Sequence, residues 1–180
     1  MQKRNIINSQ LLAITIERLC HQLIENHGDF SDSHILGLQP RGVFLAERIC
    51  QKLSLILKKK ITLGYLDATF FRDDFRKQDA PLKANATKVP FIIEDKKVIL
   101  VDDVLYTGRT VRAALDAMIA FGRPSKVELL ALIDRSYSRH VPIYANYVGM
   151  EVNCLESEKI VVELKEQGLK EDNVWLVKKK

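Results

Sequence analysis

Residues 98–110 read VILVDDVLYTGRT, an apolar run that leads into two adjacent aspartates and then a short polar loop. The run Val98–Val101 is typical of a strand that is buried on both faces, as strands of parallel sheets are. Ligands of parallel α/β sheets bind at the carboxyl ends of the strands. We therefore expect Asp102 and Asp103 to meet a ligand at that edge of a sheet.

The loop that follows, Thr107–Thr110, opens a predicted helix. Its backbone N–H groups, two hydroxyls and the helix dipole can converge on a phosphate, and Gly108 lets the backbone approach an anion closely. Carboxylates beside an anion site suit a ligand with hydroxyls at one end and phosphate at the other. A ribose 5-phosphate has that polarity.

Outward from this stretch, apolar runs and helical periodicities alternate along the chain. This alternation predicts an α/β fold with a mostly parallel central sheet flanked by helices. Helices are expected over 9–26, 43–53 and 111–121. Strands are expected at His34–Leu38, Ile61–Leu66, Lys97–Val101, Val127–Ile133, 147–148, 160–164 and 174–177.

The 180 residues, 47% of them hydrophobic, fit one domain over 1–180 with a full core. Within it, the polar segment 67–90 after the second strand is expected to be a flexible arm or lid. Residues 135–180 are expected to form small terminal strands and a tail. No internal repeat or linker divides the chain.

The net charge of +5 favours an anionic partner, although part of it lies in Lys58–Lys60 and Lys178–Lys180, which a solvated turn and a frayed tail explain as well. Cys20, Cys50 and Cys154 show no metal or disulfide spacing and read as reduced, half-buried thiols. The amino terminus lacks an apolar signal core, and no run is long enough to span a membrane. We expect a cytoplasmic protein with no membrane contact.

Together these motifs resemble the type I phosphoribosyltransferase family, and within it the PyrR branch, over residues 10–165. Besides residues 98–110, the resemblance rests on Arg41-Gly-Val-Phe-Leu-Ala46, Asp67-Ala-Thr-Phe-Phe-Arg-Asp-Asp74, Gly122-Arg-Pro-Ser125, Asp134-Arg135 and Ser157-Glu-Lys159. It implies the type I phosphoribosyltransferase fold. It also implies a uracil phosphoribosyltransferase that converts uracil and 5-phosphoribosyl-1-diphosphate (PRPP) to UMP and pyrophosphate.

The resemblance also implies site residues. Asp102 and Asp103 would hold the ribose hydroxyls, Thr107, Gly108, Arg109 and Thr110 would bind the 5-phosphate, and Arg41 would join the two aspartates as a catalytic residue. The remaining residues expected to bind PRPP or UMP are Val101, Val104, Leu105, Tyr106, Pro40, Gly42 and Arg72. Pro40 stands where relatives usually have Thr, and Arg72 is either a pyrophosphate ligand or an arm residue in a salt bridge.

The base would lie at Ile133, Asp134 and Arg135, again by resemblance. Mg²⁺ would be held mainly by PRPP and water, because this hard cation keeps its hydration, so we expect no direct protein ligand. The family mechanism needs no protein nucleophile. The enzyme would position the substrates, stabilise the leaving diphosphate and exclude water.

PyrR proteins also bind pyrimidine-operon messenger RNA more tightly with uridine nucleotide. His21, Arg139 and His140 lie near basic or polar positions of the RNA-binding members. Glu17, Tyr144 and Met150, however, stand where Thr, Arg and Lys are expected. RNA attenuation is therefore left open. A homodimer or higher oligomer is expected through the arm, whose rings are Phe70, Phe71 and Phe75.

Three alternatives remain beside this interpretation. The chain could be an RNA-binding regulator with little catalysis, although the intact Asp102-Asp103 pair argues against it, or a phosphoribosyltransferase for hypoxanthine or guanine. A response-regulator receiver is disfavoured, because its acidic pair follows the first strand of the fold. A P-loop nucleotidase is excluded by the absence of its motif.

Overall fold

The computed structural model describes residues 3–73 and 85–178. Its centre is a five-stranded parallel sheet with strand order β3-β2-β4-β5-β6, flanked by helices. The bounds are β2 Ser33–Leu38, β3 Leu63–Leu66, β4 Lys97–Leu105, β5 Lys126–Ser136 and β6 Tyr147–Asn153. The α/β fold with a mostly parallel sheet, predicted from the alternating pattern, is confirmed.

Three helices cover the two faces of this sheet: α1 Ser9–His27, α2 Gly42–Leu57 and α3 Arg109–Met118. Successive β4 side chains divide between the faces, as the pleat requires. Ile99 and Val101 join the core under α1 and α2, whereas Val98 and Leu100 join the core under α3. The apolar run at 98–101 is continuous because β4 is buried on both sides.

Helix α1 begins where its capping residue predicts. The side chain of Asn8 accepts a hydrogen bond from the Leu11 amide at 2.9 Å, and the chain reverses after His27 at Gly28, whose φ is +57°. In the part of the chain that the structure describes, no helix is both long enough and apolar enough to cross a membrane.

A second, antiparallel sheet has strand order β1-β8-β7, with β1 Lys3–Asn8, β7 Glu158–Glu163 and β8 Asn173–Lys178. The sequence pattern predicted β7 and β8 but not β1. Strand β1 has only two apolar residues and forms by pairing with β8, about 170 residues away in the chain. Arg48 of α2 ties this sheet to the core through ion pairs with Glu166 and Asp172.

Several predicted boundaries were wrong by a few residues. Strand β4 continues through both aspartates to Leu105, and β5 continues through Ser136, because each has a neighbouring strand to pair with along that length. Helix α3 ends at Met118 and is followed by a 3-10 turn, Ile119–Phe121. Cys20 and Cys50 are buried rather than half-buried, and only Cys154 is intermediate.

The predicted arm is described only at its two ends. A 3-10 turn covers Thr69–Phe71, and Lys88 pairs with Tyr65 in an isolated bridge. Phe75 lies outside the described residues. Phe70 and Phe71 are 65% and 45% exposed, so the described part of the arm presents apolar rings to solvent.

Candidate active site

A cavity of about 690 Å³ lies at the carboxyl edge of the central sheet, where β4 passes into α3. Residues 104–111 line it together with Arg72, Asp73, Asp102 and His140. The predicted phosphate loop and one of the two predicted carboxylates therefore open into the same space.

The two aspartates differ in their surroundings. Asp103 is buried, and its Oδ2 accepts a hydrogen bond from Arg41 Nε at 2.8 Å. Asp102 Oδ1 accepts a hydrogen bond from the Asp103 amide at 2.9 Å. Loss of solvent around Asp102, and then the adjacent Asp103 carboxylate, hold the pKa of Asp102 well above its usual range. Without a ligand, this edge disfavours two full negative charges side by side.

The loop Thr107–Thr110 has the geometry of an anion site. Gly108 has a φ of +84°, and a Cβ added to it would lie 2.7 Å from Cγ2 of Val141. Only glycine fits this position without strain. Helix α3 begins at the next residue, so its free N–H groups and the positive end of its dipole face the cavity.

Two side chains already occupy the charged mouth of this loop. The guanidinium of Arg109 forms an ion pair with Asp73, and its Nε lies 3.3 Å from His140 Nδ1. Asp73 belongs to the sequence motif Asp67–Asp74, but no role was predicted for it. Its position directly after Arg72, which also lines the cavity, was the signal that could have found it.

The segment with Pro40 and Gly42, which are expected to bind PRPP or UMP, lies at the start of α2. The Gln39–Pro40 peptide bond is cis. A Cβ on Gly42 would lie 2.4 Å from the carbonyl oxygen of Val101, so α2 begins in direct contact with β4. Arg41 does not point freely into solvent, because it donates to Asp103 and to the Val162 carbonyl of β7. Arg41 therefore bridges the Asp103 carboxylate and the small sheet.

The predicted base segment lies at the end of β5. Ile133 is fully buried in the core, so only its backbone could serve a base. Asp134 forms an ion pair with Arg139. Arg135 is 5% exposed, and its guanidinium carbon lies 3.9 Å from the centroid of the Tyr106 ring. Tyr106 lines the cavity, which links Arg135 to the site through that ring.

The three residues predicted to contact RNA lie in different surroundings. His21 is exposed on α1. Arg139 stabilises the loop after β5. It forms an ion pair with Asp134 and donates hydrogen bonds to the carbonyls of Ile143 and Arg135 at 3.0 and 3.1 Å. His140 lines the cavity beside Arg109. The positions of Arg139 and His140 do not test the predicted RNA contacts, which stay a prediction.

No group of three or more metal-ligating side chains occurs within 3–73 and 85–178. The carboxylates of Asp102 and Asp103 are nonetheless hard oxygen donors of the kind that Mg²⁺ prefers in proteins. They fit a cation that keeps most of its other ligands from substrate and water.

A carboxylate and the loop Thr107–Thr110 in one cavity are the arrangement predicted from the resemblance to phosphoribosyltransferases. A family model described as phosphoribosyl transferase domain matches residues 3–167. Bifunctional protein PyrR of Bacillus subtilis is 41% identical over 168 residues, which cover 92% of each chain. The PyrR protein of Enterococcus faecalis is 38% identical, with 93% of each chain covered. The chain therefore belongs to the phosphoribosyltransferase family, in its PyrR branch.

A solved structure with lower sequence identity has the same fold. The hypoxanthine-guanine phosphoribosyltransferase of Bacillus anthracis superposes with a TM-score of 0.70 at 19% identity, covering 98% of this chain and 99% of its own. This likeness establishes the type I fold and carries no statement about the base. The type I phosphoribosyltransferase resemblance read from the sequence is confirmed.

Proposed function

We propose that this phosphoribosyltransferase joins N1 of uracil to C1 of PRPP, releasing pyrophosphate and forming UMP. One observation carries the proposal: Asp102 opens into the same cavity as the anion loop Thr107–Thr110. A ligand that places hydroxyls at one end and a phosphate at the other satisfies both.

The proposed reaction needs no covalent bond to the protein. The C1–O bond to diphosphate breaks with its electron pair leaving on diphosphate, and N1 of uracil bonds to C1 as its proton passes to water or diphosphate. Positive charge that builds on the ribose ring is stabilised by the carboxylates beneath it. The loop Thr107–Thr110 would fix the 5-phosphate, so that C1 and N1 are held in line.

Arg41 has a second position in this scheme. Its guanidinium now neutralises Asp103, and arrival of the ribose hydroxyls and diphosphate would offer it a stronger anion. Arg72, on the cavity wall, is the proposed second cation for the diphosphate. Mg²⁺, bound mainly through PRPP and water beside these carboxylates, would supply charge neutralisation of the leaving group.

The choice of uracil follows from the PyrR kinship, since the relatives that match over more than nine tenths of the chain are PyrR proteins. A purine base remains the alternative substrate. The wall formed by Val104, Leu105 and Tyr106 is apolar and aromatic and accepts a planar base of either kind.

RNA attenuation is the second proposed activity, because the matching relatives are named bifunctional. Of the residues predicted to bind RNA, His21 alone keeps an exposed side chain away from the cavity. We propose that any RNA surface includes α1 around His21. A homodimer or higher oligomer through Phe70 and Phe71, in the cytoplasm, completes the proposal.

The test is uracil-dependent UMP formation from PRPP and Mg²⁺, with hypoxanthine and guanine in parallel. Selective turnover of uracil is expected. Selective turnover of a purine would replace uracil as the substrate. No turnover with any base would contradict the catalytic proposal, and tight binding of a pyrimidine-operon RNA hairpin by the same preparation would then favour the regulator.

A further inference from the structure

The guanidinium of Arg135 is a buried cation with few partners. The residue is 5% exposed, and its Nε is buried without any hydrogen-bond acceptor. Nη2 donates to the Leu155 carbonyl at the long distance of 3.4 Å. In the described part of the chain no carboxylate pairs with Arg135, because neighbouring Asp134 is already paired with Arg139.

Such a group is costly to bury. A buried cation without a carboxylate loses several kcal/mol of hydration, which contacts of Arg135 with the Tyr106 ring and the Cys154 thiol offset only in part. An unmet buried donor such as its Nε costs about 1–3 kcal/mol more. Native structures rarely keep an orphan of this kind without a functional reason. Arg135 therefore calls for a negative charge that arrives with a ligand.

The position of Arg135 shows which part of a ligand that charge belongs to. Its guanidinium lies 3.9 Å from the centroid of Tyr106, a 40%-exposed ring on the cavity wall. The loop Thr107–Thr110 takes the phosphate end and Asp102 the ribose hydroxyls. The wall at Val104–Tyr106 is what remains for the base, so Arg135 stands behind the base site.

A pyrimidine base acquires negative charge during the proposed reaction. N1 must lose its proton as the N1–C1 bond forms, and the charge that develops spreads over the ring and its two carbonyl oxygens. A positive potential projected through the poorly hydrated wall favours that form over the neutral base.

We propose that Arg135 is a positioning residue for the base: it holds Tyr106 as the wall of the base site, and its unpaired charge favours the N1-deprotonated pyrimidine. The inference rests on the proposed function and deepens it. It assigns to Arg135 an electrostatic effect through the Tyr106 wall, with no contact to the reacting atoms.

The experiment compares two bases of different acidity. The fluorine of 5-fluorouracil makes N1 more acidic than in uracil, so loss of the N1 proton depends less on stabilisation by a nearby positive charge. Arg135→Gln removes the charge and keeps a hydrogen-bond donor. We expect kcat with uracil to fall roughly twentyfold, kcat with 5-fluorouracil to fall no more than roughly threefold, and the KM for PRPP to stay within about twofold.

The matched variant is Arg135→Lys, which keeps the charge and loses the planar fork. It is expected to recover most of the uracil turnover. Thermal unfolding and UMP binding of both variants show whether the fold and the phosphate site survive. The pH profile gives a second measure, since kcat of Arg135→Gln with uracil should rise more steeply at alkaline pH than that of the parent.

Equal losses with the two bases, or a lysine variant no better than glutamine, would overturn the electrostatic role and leave Arg135 as a structural support for Tyr106. No loss in the glutamine variant would overturn both roles. Failure of the proposed function itself looks different, because the unmodified protein would then form no nucleotide with either pyrimidine.

Discussion

The two edges of the central sheet handle charge in opposite ways. At the amino edge, His27 is closed in by its own neighbours: Nδ1 lies 2.8 Å from Ser33 Oγ, and Nε2 lies 2.8 Å from Glu128 Oε2 and 3.0 Å from the Tyr147 hydroxyl. The His27 side chain is only 1% exposed. Every polar atom of this ring has a partner from the fold.

At the carboxyl edge, the arginines either form ion pairs that a substrate could replace or have no carboxylate partner among the described residues. Arg41 forms an ion pair with Asp103, and Arg109 forms one with Asp73, whereas Arg135 has no carboxylate partner among the described residues. Each of these pairs contains a carboxylate that a substrate phosphate or hydroxyl could displace or bind. Polar groups with hydrogen-bond partners from the fold therefore stabilise it, whereas groups with poor partners mark the candidate site.

The largest effect is expected from His27→Ala at the amino edge. The variant removes one hydrogen-bond partner each from the buried Glu128 and Tyr147 and opens a cavity, so the free energy of unfolding should fall by about 3 kcal/mol. Urea unfolding measures it, and kcat at 25 °C should be unchanged. His21→Ala, an exposed position on the same helix, is the control and should change stability by less than about 0.5 kcal/mol.

Asp103→Asn at the carboxyl edge is expected to lower activity rather than stability. Removing the charge weakens the hold on the ribose hydroxyls and frees Arg41, so kcat/KM for PRPP should fall about 100-fold, or about 2.7 kcal/mol. Steady-state kinetics with Asp116→Asn, an exposed carboxylate on α3, as control would check it. If the two variants lost activity equally, the ribose role of Asp103 would be wrong.

Stability should also depend on pH through the amino edge. Burial lowers the pKa of His27 below its usual 6.5, outweighing the nearby Glu128 carboxylate, and the Lys97 and Lys126 charges add to the lowering. Because the unfolded chain then binds a proton that the folded chain resists, stability is full above about pH 6.5 and falls as the pH drops below it. Thermal melts of the parent from pH 8 to 5 should show this decline, and the same melts of His27→Ala should show less of it.

The smallest effect is expected for Asp73→Asn at the mouth of the phosphate loop. Asp73 and Arg109 are each about two fifths exposed, and exposed ion pairs contribute at most about 1 kcal/mol. Freeing Arg109 should tighten UMP binding roughly threefold, which calorimetry can resolve. Weaker binding would instead mean that Asp73 supports the loop.

The β4 strand and the shared cavity of Asp102 and Thr107–Thr110 could be predicted because their signals are local. A continuous apolar run, two carboxylates and a glycine at a left-handed position all lie within thirteen residues. The Asn8 cap of α1 is local in the same sense. Strand β1 could not be predicted, because only its pairing with β8 makes it a strand.

The partners of side chains were the other part that the sequence could not supply. The sequence offers Arg139 and His140 only as basic candidates for RNA contact, and the fold places Arg139 beneath the loop after β4 and the exposed His140 at the cavity. His27 carried no periodicity or motif, and its partners come from β2, β5 and β6. Contacts between distant strands decide such roles, and one sequence does not display them.

The contrast between the two edges is tested most directly by amide hydrogen exchange, with and without saturating UMP and with uridine as the control that lacks phosphate. Residues 104–112 should exchange more slowly with UMP and change little with uridine, and residues 126–129 on the amino edge should not change. Protection at the amino edge, or none at residues 104–112, would contradict it.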